Sequence, residues 1–167
     1  MSNEPSPPGV PGPAMRKRLL STRLFAVEHR EYSGPDGTVI GRDVVVLVFF
    51  PLAFSSVCAV ELRTLSDSWD RWNDLGARVF GISVDSPFVT ERFRQVENVA
   101  FPLLSDFNRE VASQYGVLYE DFYGLKGVAK RSVFVIDRDG RVVYDWVTDD
   151  ADVEPDYQEV ETAVRSA

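Results

Sequence analysis

The sequence predicts an α/β sandwich, a central mixed sheet flanked by helices. Three observations carry that expectation. Val44 to Phe50 is a continuous β-branched and aromatic run, and Arg78 to Val84 reads as a second buried strand. That is the pattern of strands buried on both faces. Between them Cys58, Leu62, Leu65, Trp69 and Trp72 recur at helical spacing, which makes one apolar helix face. Ser132 to Ile136 and Arg141 to Val147 flank Asp137-Arg138-Asp139-Gly140, the signature of a hairpin. Strand, helix, strand, helix, then hairpin and helix is an order that builds a mixed sheet with helices packed on it.

The elements follow in chain order. Met1 to Ala14 carries Pro5, Pro7, Pro8, Pro11 and Pro13 and supports neither ladders nor helices. Residues 1–18 are therefore predicted to be a disordered tail, and residues 19–167 the domain. Arg16-Lys17-Arg18 reads as a solvated start to that domain rather than a contact for an acidic partner. Arg23 to Tyr32 alternates weakly, and Ser33-Gly34-Pro35-Asp36-Gly37 is a turn signal, so a small hairpin is expected there. After the first buried strand, Pro51 to Val57 is a loop into a helix over 58–75, stopped by Gly76. Asp85-Ser86-Pro87 ends the second strand and caps a helix over 88–96. Phe101 to Asp106 is a short extended piece, and Asn108 to Tyr115 a short helix closed by Gly116. Tyr119 to Lys130 reads as a loop with Gly124 and Gly127. Pro155 to Val164 is a closing helix with Val160 and Val164 on one face. There is no internal repeat.

Charge and cysteine count narrow the function classes. A length of 167 residues favours one domain with a real core. The formal charge of −8 argues against nucleic acid, which needs a basic face, and against anionic lipid. One cysteine makes no intramolecular disulfide and favours a reducing interior. The N-terminus does not read as a signal peptide. The longest apolar run, Val44 to Phe54, is too short to span a bilayer. The expected location is the cytoplasm.

Cys58 stands where a strand's carboxyl end meets a helix start, the edge where open α/β sheets collect reactive groups. Free backbone N–H groups and the positive end of the helix dipole favour thiolate over thiol there. The competing reading is a small core hydrophobe. His29, the only histidine, sits in the weak N-terminal hairpin. A Cys–His hydrolase or a metal site would need it beside Cys58, so neither is expected. Asp149-Asp150-Ala151-Asp152 and Glu154 read as a solvated acidic end rather than a cation site. No metal-ligand spacing and no phosphate-cradling Gly-rich loop occurs.

The residues around Cys58 add a resemblance. Phe49-Phe50-Pro51-Leu52-Ala53-Phe54-Ser55-Ser56-Val57-Cys58 resembles the peroxiredoxin active-site signature, Pro-x-x-x-Thr/Ser-x-x-Cys. Pro51, Ser55 and Cys58 occupy its defining positions. Arg131 matches the family's catalytic arginine at the start of a core strand. Glu61 matches a glutamate that commonly holds that arginine. Gly81 to Pro87 and Phe101 to Asp106 are also similar to family segments. The likeness runs from about Val44 to Trp146, with local detail similar to the alkyl hydroperoxide reductase E subgroup. The front end departs: Ser21 to Phe25 replaces the usual Ala-Pro-x-Phe phrase.

The resemblance implies a thioredoxin-like fold and a thiol-dependent peroxidase of one-cysteine type, without cofactor or metal, in a homodimer. Its substrates would be hydrogen peroxide and organic hydroperoxides. Cys58 would be the nucleophile and pass through a sulfenic acid. Ser55 would bond the peroxide oxygens. Arg131 would stabilise thiolate and leaving oxygen. Pro51 would cover the sulfur. An external thiol or redoxin would restore Cys58. Taken singly, Ser55 reads equally as an N-cap, Pro51 as a strand end, and Arg131 with Glu61 as a surface ion pair. A non-enzymatic redox sensor or interaction module using Cys58 is the alternative.

Overall fold

The structure is a computed structural model that describes residues 43–167. The expected proline-rich tail and first hairpin, the basic patch and His29 lie outside the described residues. Five strands form one sheet: β1 Val44–Phe49, β2 Ala77–Ser83, β3 Leu103–Ser105, β4 Ser132–Ile136 and β5 Val142–Val147. The helices are α1 Ser56–Asp67, α2 Trp69–Asp74, α3 Pro87–Val96, α4 Glu110–Gln114 and α5 Tyr157–Ser166. The sheet order is β3-β2-β1-β4-β5. β1, β2 and β3 run parallel, and β4 is antiparallel to β1 and β5. This mixed sheet flanked by helices is the thioredoxin-like architecture.

The continuous apolar run of β1 is explained by burial on both faces. Val44, Val46 and Val48 join one core cluster with Leu62, Leu65, Trp72, Phe93, Val160 and Val164, from α1, α2, α3 and α5. Val45, Leu47 and Phe49 point the other way, onto Val111 and Ala112 of α4 and onto Tyr115 and Val117. Alternation at period two thus feeds two cores from one strand. Among the described residues no helix is long and apolar enough to cross a membrane.

Three boundaries correct the sequence reading. The helix expected over 58–75 starts at Ser56 and breaks at Ser68. The Ser68 N–H bonds the Leu65 carbonyl, and its hydroxyl bonds the Thr64 carbonyl at 3.5 Å. The side chain takes the acceptor that its own amide would use in a regular helix. The helix expected from Asn108 begins only at Glu110, because Arg109 is left-handed at φ 60°. Asp106 then accepts the N–H groups of Val111 and Ala112 at 3.1 and 2.7 Å. The loop over 119–130 contains a two-residue hairpin turn. Phe122 and Leu125 exchange N–H···O bonds of 2.9 Å around Tyr123 and Gly124, both at positive φ, the geometry of a type I′ turn.

Gly81 sits where β2 meets β3, opposite Leu103. A Cβ there would lie 2.4 Å from Leu103 Cδ2 and 3.4 Å from Phe50 Cε1. Gly81→Ala should overpack this layer and cost about 1–3 kcal/mol. Urea unfolding midpoints of the two proteins check the value.

Candidate active site

The meeting of β1 with β4 makes the site. Their antiparallel register places Phe49 opposite Ser132. The carboxyl end of β1, which leads to α1, therefore lies beside the start of β4, which Arg131 precedes. This brings together two residues that are 73 positions apart: Arg131 Nη2 donates to Cys58 Sγ at 3.4 Å. Cys58 is fully buried and lies against the core side of α1.

The guanidinium is fixed on three sides. Its Nη1 donates to Glu61 Oε2 in a short, buried ion pair. Its Nε and Nη2 donate to the Ala151 carbonyl at 3.0 and 2.8 Å. Arg131 is 1% and Glu61 0% exposed, so the pair is no surface bridge. Glu61 follows Cys58 by three residues and so shares its helix face. Burial pushes the Glu61 carboxyl up to about 7, with the Arg131 guanidinium pulling down and Glu154 pushing up. Glu61 Oε1 has no hydrogen-bond partner among the described residues. Burial acts against the charge on Arg131, but the opposed Glu61 and Cys58 outweigh it and keep the guanidinium protonated.

Ser55 is the N-cap of α1. Its Oγ accepts the Cys58 N–H at 3.4 Å, and its carbonyl accepts the Ala59 N–H at 3.0 Å. Cys58 is thus the third helical residue, and its own N–H is spent on the cap. The expectation of free backbone N–H groups at this helix start is therefore corrected for the Cys58 amide. The cap uses a lone pair on Oγ and leaves the hydroxyl proton free to donate. Ser55 is exposed, whereas Pro51, at the start of the loop, is buried.

Sequence reasoning missed two anchors. The segment over 149–152 is not merely a solvated acidic end, because its Ala151 carbonyl holds Arg131. A backbone carbonyl carries no residue signature. The other anchor is Asp85, expected to end β2 and to help cap the helix that follows. Its Oδ2 accepts the Ala53 N–H at 2.8 Å, inside the loop between β1 and α1. The available signal was an acid at the carboxyl end of the strand parallel to β1. Beyond Glu61, Tyr157 donates to Glu154 in a short bond, and burial raises the pKa of its phenol.

Fold and site together define a thioredoxin-like protein that presents one buried cysteine to a guanidinium near a helix N-terminus. The AhpC/TSA family model matches residues 30–145, and the chain belongs to that family. Its relatives include the chloroplastic 2-cysteine peroxiredoxin of Chattonella marina var. antiqua, 37% identical over 115 residues, covering 65% of this chain and 56% of that protein. The putative peroxiredoxin YkuU of Bacillus subtilis is 37% identical over 109 residues, 61% of this chain and 58% of that one. The chain spans about half the length of the curated relatives it matches. A solved peroxiredoxin-like protein from Aquifex aeolicus superposes with a TM-score of 0.74 at 27% identity, over 87% of this chain and 82% of that one. The algal relative is named for two cysteines, whereas this sequence has one.

Proposed function

We propose that the protein is a thiol-dependent peroxidase of one-cysteine type that reduces hydrogen peroxide and organic hydroperoxides, with Cys58 as nucleophile. The observation that carries this reading is the Arg131 guanidinium donating to Cys58 Sγ while Glu61 and Ala151 fix it from behind. The permanent positive charge of the guanidinium lies beside the sulfur that would act as nucleophile. The same fork faces the oxygen on which charge develops.

The thiolate attacks the terminal oxygen of the peroxide. A sulfur–oxygen bond forms and the O–O bond breaks. Sulfur supplies the electron pair, and the leaving alkoxide or hydroxide takes a proton from water. The products are an alcohol or water and Cys58 sulfenic acid. An external thiol then condenses with the sulfenic acid, releasing water, and a second thiol frees Cys58 as the donor disulfide forms. The hydroxyl proton of Ser55 serves the peroxide oxygens, and Pro51 shields the sulfur side of the loop. With one cysteine in the sequence, both reducing thiols come from a small thiol or a redoxin. Local detail favours the alkyl hydroperoxide reductase E subgroup. The reading carries with it a homodimer in a reducing cytoplasm, with residues 19–167 as the working domain and 1–18 as its tail.

Rapid mixing of the reduced protein with hydrogen peroxide tests the proposal. One thiol should be lost per peroxide consumed, far faster than with free cysteine. The peptide carrying Cys58 should gain one oxygen and be trapped by a 1,3-diketone. Oxidation no faster than that of free cysteine overturns it.

A further inference from the structure

The loop between β1 and α1 is held at a point that the peroxidase reading leaves unexplained. Phe50 N–H extends the parallel ladder by one bond, to the Ile82 carbonyl at 3.0 Å. Pro51 cannot continue it, having no N–H. A side chain takes over two residues later, where the Ala53 N–H donates to Asp85 Oδ2 at 2.8 Å. Phe54 follows in the left-handed region at φ 65°, a conformation that is strained for a bulky residue. Its ring leans on Phe93 at 5.0 Å. Ser55 comes next and caps the helix on the Cys58 amide.

Asp85 is itself tightly fixed. The Ser83 hydroxyl donates to the same Oδ2 at 2.8 Å, and the Asp85 N–H donates back to Ser83 Oγ at 3.3 Å. The Ser105 hydroxyl donates to the Asp85 carbonyl at 2.6 Å. Ser83 and Ser105 are both fully buried. The end of β2 therefore holds the Asp85 carboxylate, the end of β3 holds its backbone carbonyl, and the carboxylate clamps the loop. A charged acceptor makes the Ala53 bond stronger than a neutral one would.

We infer that Asp85 is a positioning residue for peroxide reduction: it latches the loop over 51–55 to the rigid ends of β2 and β3, and so sets Ser55 over Cys58. The inference rests on the peroxidase reading. The latch does not touch Cys58 or Arg131, so it governs where the peroxide is held and not whether the sulfur is a nucleophile. Displacement of a reacting group by about an ångström costs up to 10²-fold in rate.

The test compares two reactions of the same sulfur. Asp85→Ala should slow oxidation by hydrogen peroxide about 10–100-fold, while alkylation by iodoacetamide is no slower than in the unaltered protein. Asp85→Asn retains an acceptor oxygen and should restore peroxide oxidation to within about threefold of the unaltered rate. Equal peroxide rates for Asp85→Ala and the unaltered protein overturn the inference. So does a parallel loss of both reactions in Asp85→Ala, which marks a fold effect. Hydrogen exchange in the unaltered protein is the independent check, since the Ala53 amide should be strongly protected. Exchange of that amide at an unprotected rate overturns the latch even where Asp85→Ala does not fold. Slow peroxide oxidation of the unaltered protein itself, with Ala53 protected, is a failure of the peroxidase reading and takes the role in peroxide reduction with it.

Discussion

Arg131→Met should lower the rate constant for peroxide oxidation of Cys58 by about 10²–10³-fold, the loss typical when a preorganised charge-stabilising donor is removed. The expectation rests on how completely the guanidinium is committed. Its donors reach Glu61, the Ala151 carbonyl and Cys58 Sγ, so it needs no reorganisation as charge moves to the leaving oxygen. Methionine keeps much of the length and none of the donors. Arg131→Lys keeps the charge, but a point ammonium does not match a planar fork shared among three acceptors, and its rate should fall between the two. Stopped-flow fluorescence or competition kinetics reads all three proteins. A rate within about threefold of the unaltered protein for Arg131→Met would falsify the assignment.

Stability separates this role from a merely structural one. Removing Arg131 alone leaves Glu61 buried without its cation, which costs about 3–5 kcal/mol. Adding Glu61→Leu removes the stranded carboxyl, and the double variant should recover part of that loss. The Ala151 carbonyl still lacks its donor, so recovery is incomplete. Peroxide oxidation should stay as slow in the double variant as in Arg131→Met. Urea midpoints and oxidation rates measured on the same samples show whether the two quantities part in this way.

The strands were legible because burial on two faces writes itself as unbroken apolar runs: Val44 to Phe49 is buried at every position. The β4–β5 turn was legible because Asp137 and Gly140 supply local chemistry, the Gly140 N–H closing on the Asp137 carbonyl at 3.0 Å with Gly140 at φ 78°. The break at Ser68 was not legible, because a serine inside an apolar periodicity shows its competing hydrogen bond only once the turn has formed. The same limit applies at the site. Cys58, Ser55 and Glu61 lie within one turn or two of each other, and their spacing is visible in the chain. Ala151 and Asp85 reach the site across 20 and 32 positions. One acts through a carbonyl that every residue has. The other acts through a register that only the parallel pairing of β1 with β2 creates.

Between about pH 5 and about pH 8 the protein should lose stability that a Glu61→Gln variant keeps. Glu61 titrates at 4.5 in the ordinary case and is raised to about 7 here, chiefly by burial. In that window the folded chain holds a proton that the unfolded chain has released. The stabilisation is complete below the unfolded value and is lost as pH rises through the folded one. At about 1.4 kcal/mol per pKa unit the loss approaches about 3 kcal/mol. Other groups titrate too, so the informative quantity is the difference between the two proteins. Urea midpoints of the unaltered protein should fall relative to Glu61→Gln across this range, and parallel curves would sink the idea. The sign matters for the site. Ionised Glu61, the form that holds Arg131 by charge, is the form that burial disfavours. Full ionisation therefore comes at a cost in folding free energy at the pH where a thiolate is needed. A stability-optimised core would replace both members of the pair with apolar side chains. The carboxylate instead serves to hold the guanidinium in place, and its removal alone should weaken the grip on Cys58 and leave Arg131 buried without its counter-charge.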